Sequence, residues 1–355
     1  MINLGIIGGG QLAYMLCESA IKLDSYINNI YIFSDKKDIS CNKILNDKIH
    51  IFYGKYNINN ITNFCKKCDI LTYEFEDIDI SLFSDINIEI YPKLNLLEII
   101  QDKYIQKKYL ADNKINIGPF DKLDNKEALY NFIKIYNYPV IIKKRKGSFD
   151  GRGNIIINNE KDIEAIEFNI IQYYVEDFID FVNEISICGC KSNKGIINYE
   201  PVINIHKNSI LIKTEYNRNI LTKGIINKIK NIYHSTLKLF DTKGVICVEF
   251  FQKDDLIFIN EIALRVHNTY HISLDCCNIS QFDMHIMNIL DLDIIQPKFI
   301  RNGIMYNIIS NMQGFDDITK LINKNDQIII KKYHKKDIGI RKIGHVNIML
   351  DLHHS

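Results

Sequence analysis

The chain has no tryptophan, only five prolines and no long apolar run. No apolar stretch approaches the roughly 18 residues that would span a bilayer, and no basic-plus-apolar leader precedes the first predicted strand. These absences argue against a membrane protein and against secretion. We therefore expect a cytoplasmic protein without a membrane partner.

Net charge is also nearly absent, because 44 Lys and Arg residues oppose 43 Asp and Glu residues. A formal charge of +1 creates no long-range field that would attract nucleic acid, so we expect small-molecule substrates and no nucleic-acid partner. Nine cysteines, an odd number without a secretory signal, predict reduced thiols rather than a disulfide framework.

The strand and helix patterns predict three domains in the 355 residues. Residues 1–92 alternate apolar runs with helical patterns, which predicts an α/β domain on a mostly parallel sheet. Residues 93–295 predict an α+β domain with a flap subdomain at about 115–180, and residues 296–355 predict a small β-rich domain. The predicted elements include strands at 70–73 and 154–157 and a long helix at 223–239.

A glycine turn follows the first predicted strand and opens a helix. Gly8, Gly10 and Ala13 satisfy G-x-G-x-x-A, and Asp35 ends the next strand, where a ribose-binding acid would lie in a dinucleotide site. Backbone amides at such a turn also suit a phosphate, and the turn could be purely structural. The motif alone leaves these three alternatives open.

A second segment, residues 143–153, places three glycines among cations between two predicted strands. That composition suits a flap that closes over a polyphosphate, although a solvated basic hairpin would have the same pattern. Lys143 is the informative residue because it belongs to the apolar strand that begins at Val140, where a buried ammonium needs an anionic partner.

Glu249 and Glu261 lie on two predicted strands joined by a turn at residues 253–255. A hairpin about that turn brings the two carboxylates close to facing each other, an arrangement that repels unless a cation lies between them. Oxygen ligands of this kind suit Mg²⁺, and Asn260 adds a neutral oxygen. The alternative is that the two side chains point to opposite faces and are solvated.

Polar side chains crowd the end of the second of these strands. Arg265 suits a carboxylate or phosphate through its planar guanidinium, and His267 and Asn268 could orient a small oxyanion. Packing does not readily explain such density at a strand end.

These segments together resemble the ATP-grasp family and, within it, the N5-carboxyaminoimidazole ribonucleotide synthases. The resemblance covers most of the chain and implies an ATP-grasp fold with an N-terminal Rossmann-like pre-ATP-grasp domain and a small C-terminal β-rich domain. Ser148, Phe149, Leu264, Tyr270 and Ile338 depart from the family pattern. The matching motifs are G-G-G-Q-L at 8–12, T-Y-E-F-E at 72–76, Q-D-K at 101–103, the glycine-rich segment at 143–153, the polar segment at 261–271, Y-H-K at 333–335 and R-K-I-G-H at 341–345.

The resemblance implies MgATP as the nucleotide. Lys103 and Lys143 would contact its phosphates under a flap, the segment 176–179 would bind adenine through its backbone, Glu184 would bind the ribose, and Glu249 and Glu261 would hold Mg²⁺. The implied nucleotide ligands are Lys103, Lys143, Ser148, Phe149, Asp150, Gly151, Arg152, Gly153, Asn154, Glu176, Asp177, Phe178, Ile179, Glu184, His206, Asn260 and Glu261.

The resemblance also implies a reaction, the ATP- and bicarbonate-dependent carboxylation of aminoimidazole ribonucleotide in purine biosynthesis, by a homodimer. Asp150, Arg265 and His267 are the implied catalytic residues. Two other readings stay open at this point: a different ATP-grasp ligase, such as a glycinamide ribonucleotide transformylase or a biotin carboxylase, and an NAD(P)-dependent oxidoreductase. The implied ligands of the ribonucleotide and bicarbonate are Gln11, Glu74, Asp150, Arg152, Arg265, His267, Asn268, Lys335 and Arg341.

Overall fold

The computed structural model describes residues 1–147, 153–166, 169–310, 327–335 and 340–350. They form three sheets, and the first is a five-stranded parallel sheet of order β3-β2-β1-β4-β5. Helices pack on it because its central strands are apolar on both faces, as in the fully buried β4. The strands are β1 (Ile2–Ile7), β2 (Ile27–Ser34), β3 (Ile49–Tyr53), β4 (Ile70–Tyr73) and β5 (Glu89–Ile90).

The second sheet is small and antiparallel, with the order β6-β9-β7-β8. One face packs on α5 (Lys126–Tyr136) and α6 (Glu160–Glu164) through an apolar cluster that includes Phe132 and Ile142. This sheet contains both strands that flank the glycine-rich segment. Its strands are β6 (Phe120–Lys122), β7 (Val140–Lys144), β8 (Asn154–Ile157) and β9 (Tyr173–Asp177).

The third sheet has nine strands in the described residues and runs β15-β14-β10-β12-β13-β16-β18-β17, with β11 paired to β10. Helix α7 (Lys223–Leu239) covers one face through Ile229, Tyr233 and Leu237. The strands are β10 (Asn183–Ser192), β11 (Gly195–Asn198), β12 (Val202–Lys207), β13 (Ile210–Tyr216), β14 (Ile246–Lys253), β15 (Leu256–Ala263), β16 (Gly303–Ile309), β17 (Gln327–Lys332) and β18 (Lys342–Met349).

The C-terminal strands therefore continue the central sheet, because β16 pairs with β13 and β18 pairs with β16. The remaining helices connect strands within a sheet or lie between two sheets, and in the described ranges none is long and apolar enough to cross a membrane. All nine cysteines are free thiols. These helices are α1 (Gln11–Ile21), α2 (Ile58–Cys65), α3 (Leu94–Gln101), α4 (Lys103–Asp112), α8 (Ser273–Cys276) and α9 (Gln281–Ile289).

Candidate active site

The paired glutamates lie on the β14–β15 hairpin. Glu249 is the register partner of Glu261, as the predicted hairpin requires. The register then slips, since Phe250 pairs with Ile259, so Asn260 is the extra residue of a β-bulge. A bulge re-aims side chains, and the Oδ1 of Asn260 lies 3.4 Å from the Nζ of Lys143. The two glutamates and Asn260 thus belong to one oxygen-rich end of the strand pair.

Negative charge is concentrated around Glu249. Burial, and then the neighbouring carboxylates of Glu184 and Glu261, raise the pKa of Glu249 to about 8, against the opposing effect of His206. Glu184 itself contacts His206, with 2.9 Å between its Oε2 and the histidine Nδ1. A divalent cation between Glu249 and Glu261 would relieve this crowding, so the donor set fits Mg²⁺.

Both predicted phosphate-binding lysines face this end of the hairpin. The Nζ of Lys103, at the start of α4, lies 3.5 Å from the Oε2 of Glu261. Lys143 is buried on β7, and its Nζ donates to the Oε2 of Glu176 at 3.0 Å. Glu176 is therefore the anionic partner that the sequence predicts for a buried Lys143.

Glu176 is the centre of a buried ionic cluster that sequence reasoning did not find. Its Oε1 lies 3.3 Å from the Nζ of Lys107 and accepts the hydroxyl of Tyr174 at 2.6 Å. Burial opposes ionisation, but Lys107 and then Lys143 outweigh it and lower the pKa of Glu176 to about 2. Burial lowers the pKa of Lys107 to about 8, so this lysine is still mostly protonated at neutral pH.

The predicted adenine-binding segment follows directly from this cluster. Glu176 and Asp177 lie inside β9, between β6 and β7, and the Asp177 amide donates to the carbonyl of Pro119 at 3.0 Å. That amide is therefore already used, whereas Phe178 and Ile179 lie beyond the strand.

The stem of the predicted flap is well anchored. Arg145 makes a bidentate pair with Asp102, at 3.1 and 2.7 Å, and its carbonyl accepts the Lys103 amide at 2.9 Å. On the other side Asn154 begins β8 opposite Lys143, and Gly153 has a positive φ of 87°. The predicted ligands Ser148, Phe149, Asp150, Gly151 and Arg152 lie outside the described residues.

The glycine turn binds an anion, but that anion is internal. The carboxylate of Glu74 accepts the Gly10 amide and, at 3.0 Å, the Ala13 amide at the start of α1. A Cβ at Gly8, whose φ is +101°, would lie 2.4 Å from the Cγ of Glu74. Because Glu74 occupies these amides, the geometry favours the structural interpretation of this turn over a phosphate or dinucleotide site.

Other predicted ribonucleotide ligands meet beside this turn. Lys335 donates to the side chain of Gln11, the first residue of α1, and its charge counteracts the rise in the pKa of Glu74 that burial causes. Arg341 is exposed, and its backbone pairs with Ser310. The N-terminal domain and the C-terminal segment thus contribute to one end of the candidate site, and the Glu249–Glu261 hairpin forms the other. We call the region between these two ends the cleft.

The polar segment after β15 contributes further side chains to the candidate site. Arg265 lies 3.5 Å from the Oε1 of Glu76, the second glutamate of the T-Y-E-F-E motif. Burial holds the pKa of His267 well below its usual value, so the imidazole is neutral, and its Nδ1 lies 3.6 Å from the Oε1 of Glu249. Asn268 is buried, and within the described structure neither polar atom of its side chain has a hydrogen-bond partner. An unpaired buried amide of this kind is suited to a polar ligand.

Comparison with protein-family models decides the family. A model described as the ATP-grasp domain matches residues 108–282, and one described as the ribonucleotide synthetase preATP-grasp domain matches residues 1–101. Together they cover about three quarters of the chain. The chain belongs to the ATP-grasp family. The predicted fold, an ATP-grasp domain preceded by a pre-ATP-grasp domain, is confirmed.

This ATP-grasp chain is similar over 98% of its length to named relatives. It is 31% identical to a phosphoribosylaminoimidazole carboxylase of Candida glabrata but spans only 63% of that protein. It is 28% identical to an N5-carboxyaminoimidazole ribonucleotide synthase of Staphylococcus aureus and spans 92% of it. The resemblance predicted from the motifs is confirmed.

A crystal structure from Aspergillus clavatus extends the likeness to three dimensions. That protein, an N5-carboxyaminoimidazole synthase in complex with ADP and 5-aminoimidazole ribonucleotide, superposes with a TM-score of 0.86 at 27% identity. The superposition covers 98% of this ATP-grasp chain and 94% of the other. The similarity therefore includes all three sheets.

Sequence reasoning missed two residues that shape the ATP-grasp site. Lys107 follows Lys103 by one helical turn, and this spacing on a helix that begins at a nucleotide lysine was the available signal. Gln281 has no such signal: it is fully buried, accepts the His267 amide at 2.8 Å and donates to the His267 carbonyl at 2.7 Å.

Proposed function

We propose that the chain is an ATP-dependent ligase that carboxylates 5-aminoimidazole ribonucleotide to N5-carboxyaminoimidazole ribonucleotide, with bicarbonate as the carbon source. The observation that carries this proposal is the convergence of the paired glutamates Glu249 and Glu261 with Lys103 and Lys143 at one end of a cleft. The polar groups of α1 and of the C-terminal strands lie at the other end. A related protein is named as a complex with ADP and this ribonucleotide.

On the nucleotide side, Lys103 and Lys143 supply positive charge to the triphosphate, and the backbone of Phe178 and Ile179 would bind adenine. Glu184, which contacts His206, would bind the ribose hydroxyls. Glu249 and Glu261, assisted by Asn260, would hold Mg²⁺. When bound, this ion would neutralise charge on the phosphate oxygens during transfer.

The chemistry proceeds in two steps. A bicarbonate oxygen attacks the γ-phosphorus of ATP, and the bond between this phosphorus and the bridging oxygen of the β-phosphate breaks. ADP is the leaving group, and carboxyphosphate is the product that reacts further. The exocyclic amine of the ribonucleotide then attacks the carboxyl carbon, phosphate leaves, and the amine loses a proton. The protein contributes mainly positioning and charge neutralisation, and it must exclude water from carboxyphosphate.

Residues at the ribonucleotide end have roles in the second step. Arg265, held near Glu76, suits the carboxylate or phosphate of a reactant, and Asn268 offers an unpaired buried amide. The neutral His267 can accept a proton from the amine, and Asp150 is the alternative acceptor. Lys335 and Arg341 place positive charge for the ribonucleotide phosphate.

We also propose the domain division 1–92, 93–295 and 296–355, a homodimer, and action in the cytoplasm. The ATP-grasp and preATP-grasp matches meet between residues 101 and 108, close to the first of these boundaries. Size-exclusion chromatography with light scattering tests the homodimer, and a monomer at micromolar concentration would contradict it.

The deciding experiment measures phosphate release from MgATP with and without bicarbonate and aminoimidazole ribonucleotide. We expect turnover that depends on the ribonucleotide, together with its conversion to the carboxylated product. Absence of ATP turnover under every condition would contradict the ligase assignment. Turnover that ignores the ribonucleotide would contradict this substrate and favour another ATP-grasp ligase.

A further inference from the structure

We propose that Lys107 is a positioning residue of the nucleotide site. Its ammonium gives the buried cluster around Glu176 one more positive charge than the Glu176 carboxylate neutralises. The charge of Lys143 is therefore available to the ATP phosphates. This inference rests on the proposed function, because it concerns how the same site attracts its nucleotide. It assigns a role to a residue outside the motifs that identify the family.

The contacts of Lys107 are buried and specific. Its side chain is 3% exposed, and its Nζ lies 3.3 Å from the Oε1 of Glu176 and 3.1 Å from the carbonyl oxygen of Ile259. Ile259 directly precedes the bulged Asn260 on β15. One ammonium therefore links β9 of the four-stranded sheet to the strand that carries Glu261.

The charges of this cluster do not balance. Lys107 and Lys143 both contact Glu176, which is the one carboxylate within salt-bridge distance of either ammonium in the described structure. The neutral hydroxyl of Tyr174 shares Oε1 with Lys107, which leaves Oε2 for Lys143. A buried net charge of one unit is costly unless an anion compensates it. A polyphosphate beside Lys143 would be that anion.

The helix that carries Lys107 touches both walls of the cleft. At its start Asp102 pairs with Arg145 of the flap stem and Lys103 contacts Glu261. One turn later Gln106 accepts the Ile262 amide at 3.3 Å. Helix α4 therefore fixes the distance between the flap stem and β15, and Lys107 is the member of this set that adds unneutralised charge.

The first test substitutes Lys107→Met, with Lys108→Met as the matched control. Lys108 is the next residue of the same helix, is 54% exposed and pairs only with Asp112 among the described residues. We expect Lys107→Met to weaken ADP and MgATP binding, measured by calorimetry, at least tenfold and to raise the KM for ATP accordingly. The KM for the ribonucleotide should change less than twofold, and Lys108→Met should match the wild type.

A double variant distinguishes charge from a purely structural role. Lys107→Met removes the surplus charge, whereas Lys107→Met with Glu176→Gln restores a net charge of one unit on Lys143 without burying an unpaired carboxylate. We expect the double variant to bind ADP within fivefold of the wild type, even if the single variant does not fold. Weaker binding by the double variant would overturn the proposal, as would wild-type affinity in a folded Lys107→Met.

These outcomes are separate from a failure of the proposed function. If the wild type does not bind ADP or MgATP at all, the ATP-dependent activity is wrong. If it binds and turns over ATP but Lys107→Met binds equally well, only the role of Lys107 is wrong.

Discussion

The two ends of the cleft are built differently. At the proposed nucleotide end, Lys107 and Lys143 are buried and each contacts Glu176, which also accepts the hydroxyl of Tyr174. At the proposed ribonucleotide end the polar groups come from separate parts of the chain, as in the contact of Gln11 with Lys335, and the side chain of Asn268 has no hydrogen-bond partner in the described residues. A buried, mutually paired cluster is organised before its ligand binds, whereas dispersed groups depend on the ligand to complete their hydrogen bonds.

The largest effect should come from the β14–β15 hairpin, which we propose binds the metal. We expect Glu261→Gln to lower kcat by about a thousandfold, because it removes a carboxylate that would hold Mg²⁺. Ribonucleotide-dependent phosphate release measures this. Glu215→Gln is the control, since Glu215 lies on the same sheet but pairs with Lys213. A loss of less than tenfold would place the metal elsewhere.

A smaller effect concerns the acid stability of the buried cluster. The pKa of Glu176 is lowered from 4.5 to about 2, so its ionisation stabilises the fold above pH 4.5, and this contribution disappears as the pH falls toward 2. The shift corresponds to roughly 3 kcal/mol at most. In urea unfolding, Glu176→Gln should therefore be less stable than the wild type at pH 7, and the gap should narrow below pH 4.5.

Glu127→Gln is the control for that comparison, because Glu127 is exposed on α5. It should follow the wild type at every pH. A gap between wild type and Glu176→Gln that stays constant from pH 7 to pH 3 would show that the carboxylate is not stabilised by the two lysines.

The smallest effect should come from the ribonucleotide end. We expect Lys335→Met to raise the KM for the ribonucleotide about tenfold, the cost of roughly one charged hydrogen bond, while the KM for ATP stays within twofold. Lys332→Met, an exposed lysine on β17, is the control. Equal increases in both KM values would mean that the two ends are not independent.

Much of this architecture could be predicted where the apolar pattern is clear. The strands Ile70–Tyr73 and Asn154–Ile157 and the helix Lys223–Leu239 have the bounds that the sequence predicts. Strands β12 and β13 were not predicted, because their polar residues lie in the sheet interior: Asn204 bonds to Ser186 and Thr214 within a polar face. Alternation of apolar residues does not reveal such a face.

The site was predictable where a residue type implies a partner. Lys143 on an apolar strand required an anion, and Glu249 and Glu261 required a cation. The bulge at Asn260 and the occupation of the glycine turn by Glu74 were not predictable, because both depend on the pairing of distant segments. A local sequence pattern predicts that a charged residue requires a partner of opposite charge. Which residue or ligand is that partner depends on the tertiary structure.

The hydrogen-bonded path through the large sheet has a mechanical consequence. It runs without interruption from β15, which carries Glu261, to β17, which leads into Lys335. A sliding displacement of these two residues would have to shear at least one hydrogen-bonded ladder, so the continuous sheet resists it. The four-stranded sheet shares no strand with this path, so a movement of that sheet relative to the large one would leave these ladders intact.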